Sequence, residues 1–425
     1  MRHISKLCLV VICIMLLAGT AFAAKETISF WTFGTETPEL KAVMNQFKAE
    51  FLEETDIEVD WKMIGWGDYH QNNLMVISSR KGPDVTQIGT TTVSQQAMAG
   101  VFDEVTPLFE ELGGDDVFFA ASVKSTMPDA LEGHYAVPWF VDPRALIYRK
   151  DLLEKNSLEL PATWDDFVKV AKVLQEKEGM EYPVGMAGSE FAHEIYQAIA
   201  QAGGDITRQE GNKFYSAMTS DEAKAGVKFL TDLVIAHKVA SPATGEYDKA
   251  TLRAKFANGE IAFYYDSPQA FTYMEQNAPE LLDKMGVGPA PAGIGGKRSC
   301  FLGGSNLAIY NFTKKREAAV TWIKYLLRPQ NVAVWAKAYG NVPGVIEATS
   351  LEGFDEEPWA SFIDVAVNHG YHPPINPGGT LAQVEGLITN NILGANLSGT
   401  YTEYVFEKTM VEAERMHQRI IDQFK

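Results

Sequence analysis

Between residues 28 and 63 the spacing of the apolar residues changes twice, and this restricts what the chain can build. Ile28-Ser29-Phe30-Trp31 reads as a short strand ended by Gly34. Thr37-Pro38 then offers an N-cap followed by proline at the first helical position. Leu40, Val43, Met44, Phe47 and Phe51 recur at helical spacing, and Ile57, Val59, Trp61 and Met63 alternate as a strand does. A strand–helix–strand start is the opening of a parallel α/β layer.

The alternation continues along the chain. Thr163, with Asp166 three residues on, predicts a helix whose apolar stripe is Phe167, Val170, Ala171 and Leu174. Thr219 and Glu222 read as a capping box ahead of Val227, Leu230, Leu233 and Val234. Gly259-Glu260 precedes a strand over residues 261–265, halted by Ser267-Pro268. Further helices are predicted over residues 313–327, stopping before Pro329, and over residues 402–424. The pattern is α/β throughout but marks no domain boundary. At roughly 100–200 residues per domain, 425 residues make two or three domains.

The N-terminus is read separately. Arg2, His3 and Lys6 precede an apolar run over residues 7–17, and Ala21-Phe22-Ala23 closes the segment. This is the layout of a cleaved secretory signal, and the run falls short of the roughly 20 residues a membrane span needs. No cysteine follows the run, so a released periplasmic protein is expected rather than a lipoprotein. Cleavage after Ala23 removes two basic residues and no acidic ones, so the formal charge of −18 becomes −20. A surface that acidic repels phosphate backbones and anionic lipid, which sets nucleic acid and membrane headgroups aside as partners. Cys8 and Cys13 leave with the signal, and Cys300 remains alone, expected to be a buried structural thiol.

Catalytic signatures are missing. Gly296-Lys297-Arg298 lacks the Ser/Thr and the earlier glycine of a P-loop. There is no Gly-x-Ser-x-Gly elbow, no His-Glu-x-x-His and no Cys-x-x-Cys, so no cofactor or metal is expected. His369 and His372 read as solvated loop residues ahead of Pro373-Pro374. The neighbours Tyr264-Tyr265 suit a strand end, with a ferric site or a ligand-facing ring as rival readings. Paired carboxylates of a glycosidase stay open, because 55 acidic residues show no pairing by themselves. Trp31, Trp66 and Trp139 fall at apparent strand ends or loops, where α/β sheets gather ligands and an indole suits the C–H face of a sugar ring.

Several segments then resemble one family. Gly82-Pro83-Asp84-Val85 with Gly100-Val101-Phe102 and Val105-Thr106-Pro107 is similar to a signature of the family 1 extracellular solute-binding proteins, the maltose/oligosaccharide-type binding proteins of ABC importers. The segment from Tyr135 through Pro138-Trp139-Phe140-Val141-Asp142 to Leu152 resembles a second signature. Pro161-Ala162-Thr163-Trp164-Asp165-Asp166-Phe167, Phe256-Ala257-Asn258-Gly259-Glu260 and Phe301-Leu302-Gly303-Gly304-Ser305-Asn306 resemble later ones, in the family's order.

The resemblance implies an α/β, two-lobed periplasmic binding protein fold, type II-like, with a hinge and an interlobe ligand cleft. One lobe would take residues 24–140 and 306–348, the other 141–305 and 349–425. It also implies a monomer that binds a carbohydrate and delivers it to an ABC importer permease. Residues carried over as ligand contacts are Trp31, Trp139, Asp142, Tyr265, Asp266, Gly303, Gly304, Ser305 and Asn341, with Trp66 and Arg144 beside them. Thr91 and Thr92 stand where maltose-binding members place an aromatic and an acidic residue, so they are expected to bind hydroxyls without implying maltose. A secreted carbohydrate-active enzyme and a binder of ferric ion or another small solute are the rival readings.

Overall fold

The computed structural model describes residues 25–188, 191–211, 213–374, 376 and 382–423. The predicted signal segment, residues 1–23, lies outside them. The principal elements begin with β1 (Glu26–Phe33), α1 (Pro38–Thr55), β2 (Ile57–Ile64), α2 (Tyr69–Ser79), β3 (Val85–Gly89), β4 (Val137–Pro143) and β5 (Ala145–Arg149). There follow α3 (Trp164–Glu178), α4 (Phe191–Gln201), β6 (Thr207–Glu210), β7 (Lys213–Ser216), α5 (Asp221–Ile235), β8 (Phe263–Asp266), β9 (Met285–Gly288) and β10 (Cys300–Ile309). The chain ends through α6 (Arg316–Leu326), α7 (Pro329–Tyr339), β11 (Val342–Pro343), α8 (Trp359–His369), β12 (Gly370–Tyr371) and α9 (Glu403–Asp422).

Local chemistry sets the boundaries. Thr37 Oγ1 accepts from the Leu40 N–H at 3.2 Å with Pro38 at the first helical position, which starts α1 where the sequence predicts. Thr163 caps α3 in the same way, and Phe167, Val170, Ala171 and Leu174 all turn inward. The cap of α5 is Ser220 rather than Thr219: its hydroxyl accepts from Ala223, and the Thr219 N–H donates instead to Glu414 of α9. The first strand runs two residues past Trp31, to Phe33, because β2 pairs with it along its whole length.

The strands form two main sheets. In the larger, β2, β1 and β3 run parallel, and β10, β4 and β11 complete it antiparallel, in the order β11-β4-β10-β3-β1-β2, with β12 against the start of β10. The smaller sheet has the order β8-β5-β9. Its central strand β5 starts two residues after β4 ends, so the chain passes directly from one sheet to the other. β10 returns: Cys300 and Phe301 pair with β12, and Leu302 onward pairs with β4 and then β3. One hydrophobic cluster gathers Ile28, Phe47, Phe109, Trp139, Leu307, Trp322 and Trp335, and a second gathers Leu146, Phe167, Ile199, Leu230, Phe263, Phe362 and Met410. No helix among the described residues is long and apolar enough to cross a membrane.

Asp84 of the Gly-Pro-Asp segment pins the amino end of the larger sheet. Its Oδ2 accepts from the Ser29 N–H at 2.8 Å and hydroxyl at 2.9 Å, its Oδ1 accepts from the Thr313 hydroxyl, and Lys315 Nζ lies 3.8 Å away. Burial alone would raise this carboxyl, but those donors outweigh it and hold it below the ordinary aspartate value. A lowered folded value means stability present above the usual carboxylate range and lost as pH falls through the folded one. Asp84→Ala is expected to cost roughly 1.5–3 kcal/mol at neutral pH. In urea melts of both proteins, the difference should shrink on acidification below about pH 4. A pH-independent difference would remove the carboxylate from this role.

Candidate functional site

The register of the larger sheet brings most of the predicted residues to one edge. Phe33 is level with Ile64, Ser305 with Gly89, Gly303 with Asp142, and Val342 with Val141. The carboxyl ends of β1, β2, β3 and β4 therefore line up with the Gly303-Gly304-Ser305 stretch of β10 and with Asn341 just ahead of β11. Ligands of α/β sheets collect at such an edge. The smaller sheet meets it across the β4–β5 junction, where Ala145 is level with Asp266.

Trp66 is the open ring of this edge. It follows β2 directly, is 45% exposed, and packs beside Phe33 and Tyr69 at centroid distances of 5.8 and 5.0 Å. Its indole N–H donates to the Tyr339 hydroxyl at 3.1 Å, and that hydroxyl donates to the Phe33 carbonyl at 2.7 Å. Gly34 makes room for this: at φ 147° its absent Cβ would lie 2.7 Å from the Tyr339 hydroxyl. Tyr69 accepts from the Gly89 N–H at 2.9 Å and contacts the Thr92 hydroxyl, which itself donates to Gly89 O at 3.0 Å. Burial pushes the Tyr69 hydroxyl up to about 12 despite those contacts, so it stays a neutral phenol. Thr92 is thus engaged in holding the turn, with Thr91 half-buried beside it.

Four charged side chains alternate in sign at the junction. Arg144 lies 3.0 Å from Asp142 Oδ2 and 3.5 Å from Asp266 Oδ1, and Arg253 takes both Asp266 oxygens at 2.8 and 2.9 Å. The Ser267 N–H donates to Asp266 Oδ1 at 2.8 Å as well. Asp266 is fully buried, a state a carboxylate tolerates only when paired this fully. It anchors Arg144 and is not an open acceptor for ligand hydroxyls, contrary to the expectation. Asp142 differs, because its Oδ1 is buried with no hydrogen-bond partner among the described residues. Asn341 Oδ1 is in the same condition.

Other expectations are corrected. Trp139 is completely buried, stacked on Trp335 at 5.0 Å and 14° and tilted against Phe30, so it offers no face to a ligand. Trp139 lies three residues back from the edge, in a strand whose alternation turns it into the core. Trp31 lies within β1 rather than after it, half-buried, with Lys62 Nζ 5.4 Å above its ring. Gly303 and Gly304 face protein: a Cβ on Gly304 would meet Phe140 O at 2.3 Å, and one on Gly303 would meet the Phe301 ring at 3.1 Å. Ser305 is buried and accepts from Gln87 Nε2 at 2.8 Å. Tyr264 and Tyr265 are both buried in the core. Neighbours on a strand point to opposite faces, so their hydroxyls do not converge on one ion. His372 is no solvated loop residue: it is buried, and burial lowers it to about 3. Cys300 is buried as expected, its thiol pushed up to about 12. Among the described residues no three His, Cys, Asp or Glu side chains are placed to hold a metal.

Sequence reading missed Tyr339, Phe33 and Arg253. Tyr339 and Phe33 are 306 positions apart, and no local pattern links them. Arg253 sits on a helix ahead of Asp266, where its charge reads as an ordinary solvated face.

Comparisons with known proteins bear on the family and the fold. The family described as bacterial extracellular solute-binding proteins matches residues 34–333, more than two thirds of the chain. The diacetylchitobiose binding protein DasA of Streptomyces coelicolor is 27% identical over 77% of this chain and 75% of its own. An arabinooligosaccharide-binding protein of Halalkalibacterium halodurans is 24% identical over 72% of this chain and 68% of its own. Among solved structures, the sugar-binding protein MalE of Xanthomonas citri superimposes with a TM-score of 0.80 at 22% identity, covering 93% of this chain and 98% of that one. Maltose-bound MalE3 of T. maritima gives 0.75 at 24% identity, covering 92% and 99%. The fold is therefore that of the two-lobed binding proteins.

The enclosed Trp139 reverses the usual expectation for a site tryptophan. Trp139→Ala should cost about 3–5 kcal/mol of folding stability, the scale of an emptied core position. Chemical denaturation of the unliganded variant measures it, and an unchanged midpoint would contradict the buried placement.

Proposed function

Because the chain belongs to the bacterial extracellular solute-binding proteins, we propose that it captures a carbohydrate between two lobes and hands it to an ABC importer. In this reading the lobes are residues 24–140 with 306–348 and residues 141–305 with 349–425, and the larger-sheet edge is one wall of the cleft. The chain is exported through its N-terminal signal and works as a periplasmic monomer. Ligand favours the closed form because only closure brings both walls onto it. No bond of the ligand is broken.

The observation that carries this reading is the pairing of Trp66, open and edge-braced, with the acceptor-bearing Asp142 on the same sheet edge. A sugar ring presents an apolar C–H face and a rim of hydroxyls, and this edge offers an indole for the first and a carboxylate for the second. Trp66, Asp142, Arg144 and Asn341 are the residues assigned to ligand. Asp266 and Arg253 are assigned to holding Arg144 in place. The named relatives bind diacetylchitobiose and arabinooligosaccharides, which supports an oligosaccharide ligand.

A thermal-shift screen of the purified chain over neutral mono-, di- and oligosaccharides tests the function, since ligand at about 100 times its Kd adds about 2.7 kcal/mol. Trp66→Ala is expected to weaken the responding sugar by roughly 1–3 kcal/mol in calorimetry with the unliganded melting point little changed. Unaltered affinity would remove Trp66 from the cleft. Recovery of the sugar cleaved after prolonged incubation would favour an enzyme instead.

A further inference from the structure

The β6–β7 hairpin and the last turns of α9 enclose a groove of about 630 Å³. One wall is Arg208 and Tyr215, which are level across the hairpin, with the guanidinium 4.8 Å from the ring centroid. The other wall is the Arg415, Gln418, Arg419 and Asp422 face of α9. Hydrogen bonds fix the two walls to each other. The Ser216 N–H donates to Gln418 Oε1 at 2.9 Å. Glu414 Oε2 accepts from the Ser216 hydroxyl at 3.1 Å and from the Thr219 N–H at 2.9 Å.

The polar groups of this groove are unequally satisfied. Glu414 is spent on the hairpin, Asp422 accepts from the Gln418 amide at 2.9 Å, and Arg208 is paired with Glu210. Arg415 and Arg419 are exposed and have no ion pair or hydrogen bond among the described residues. The other described arginines either meet a carboxylate, as Arg149 and Arg328 do, or donate to carbonyls, as Arg80 and Arg298 do. On a chain with 55 acidic residues against 37 basic ones, two neighbouring guanidiniums left without a carboxylate are an exception. The dipole at the end of α9 favours a cation in its last turn, which accounts for Arg419 but not for Arg415 one turn earlier. Like charges four residues apart on a helix repel, and an anion between them would remove that cost.

We propose that this groove is an oxyanion site, in which Arg415 and Arg419 hold one phosphate group and the Arg208–Tyr215 pair closes the opposite wall. Residues four apart on a helix have Cβ atoms about 5–6 Å from each other, so both guanidiniums can reach one small anion. Each guanidinium presents a fork of N–H donors that matches two oxygens of a phosphate. A tetrahedral phosphate has oxygens enough for both forks at once, whereas a single carboxylate fills one. The class of ligand is therefore a phosphate group, free, in a soluble ester or in a phospholipid headgroup. The formal charge of −18 opposes approach to an anionic bilayer, so a soluble phosphate is the expected source. None of these residues belongs to the sheet edge assigned to the sugar, so the site stands or falls independently of the carbohydrate reading.

Calorimetry of the purified chain with inorganic phosphate, and with acetate at the same ionic strength, tests the site without any sugar. Phosphate is expected to bind about tenfold or more tighter than acetate. Arg415→Gln combined with Arg419→Gln should weaken phosphate by about tenfold or more. Both side chains are exposed, so the double variant is expected to keep the far-ultraviolet spectrum of the parent. The comparison of phosphate with acetate on the unaltered chain decides the matter should that variant fail to fold. Sedimentation with phosphatidylglycerol vesicles, set against phosphatidylcholine vesicles, separates the two sources. Capture by the former alone, lost in the double variant, assigns the site to a headgroup; calorimetric binding without capture assigns it to a soluble phosphate. Phosphate bound no tighter than acetate, with no vesicle capture, overturns the site, and so does binding or capture that is unchanged in the folded double variant.

Discussion

The close approach of β10 to β4 at Gly304 is the constraint on which the rest depends. At φ 131°, with Phe140 O 2.3 Å from where a Cβ would sit, this position admits no side chain. The two backbones touch there, and β10 pairs with β12 at its start and with β4 and β3 beyond it. A single strand thereby belongs to both halves of the molecule. The register sets Gly303 level with Asp142 and, through β4, Val342 level with Val141. In this chain the absent side chain of Gly304 is thus explained by strand packing.

The charge pattern at the junction follows from that alignment. Asp266 ends β8 level with Ala145, one residue from Arg144, so a buried carboxylate and a guanidinium arrive together from strands far apart in sequence. A buried carboxylate left alone would be strongly destabilising, and Arg253 with the Ser267 N–H completes its shell. Arg144 is then shared between Asp266 and Asp142. The order of preference is clear from the distances: Asp266 carries four contacts at 3.5 Å or less, and Asp142 carries one charged contact on one oxygen. The pattern secures Asp266 and leaves Asp142 with an unused acceptor.

The elements were largely legible because helix caps and apolar periodicity act over a few residues. Thr37-Pro38, Thr163 with Asp166, and the stripe from Val227 to Val234 all did what local chemistry requires of them. The resemblance supplied the two-lobed architecture, which no spacing could have shown. The site was legible as a place more than as a set of contacts. Asp142 and Asn341 came to the edge with donor-free oxygens, whereas Trp139, Tyr265 and Trp31 turned into the fold. Which side of a strand a residue takes is a matter of register, and a one-residue change reverses it. The aromatic hub was hidden for a different reason: Trp66, Tyr339 and Phe33 meet only after the chain has folded back over hundreds of positions.

The hub also bears on how closure is driven. Tyr339 ends α7, and the next residue, Gly340, lies close enough to Gln269 that a Cβ there would sit 3.1 Å from its side chain. On the other flank, Ser94 donates to the Asn376 carbonyl at 3.0 Å, and the Asn376 amide donates to Thr207 at 2.8 Å. Ser94 belongs with the larger sheet and Thr207 with the helical half around α4, so these are direct contacts between the two halves. The free energy of contacts of this kind adds to whatever the sugar contributes. Observed affinity is then the intrinsic affinity reduced by the fraction of protein not yet closed. If Trp66 lines the cleft as proposed, its brace to Tyr339 lowers the ordering cost on that wall, and the contacts between the two halves lower the closing cost.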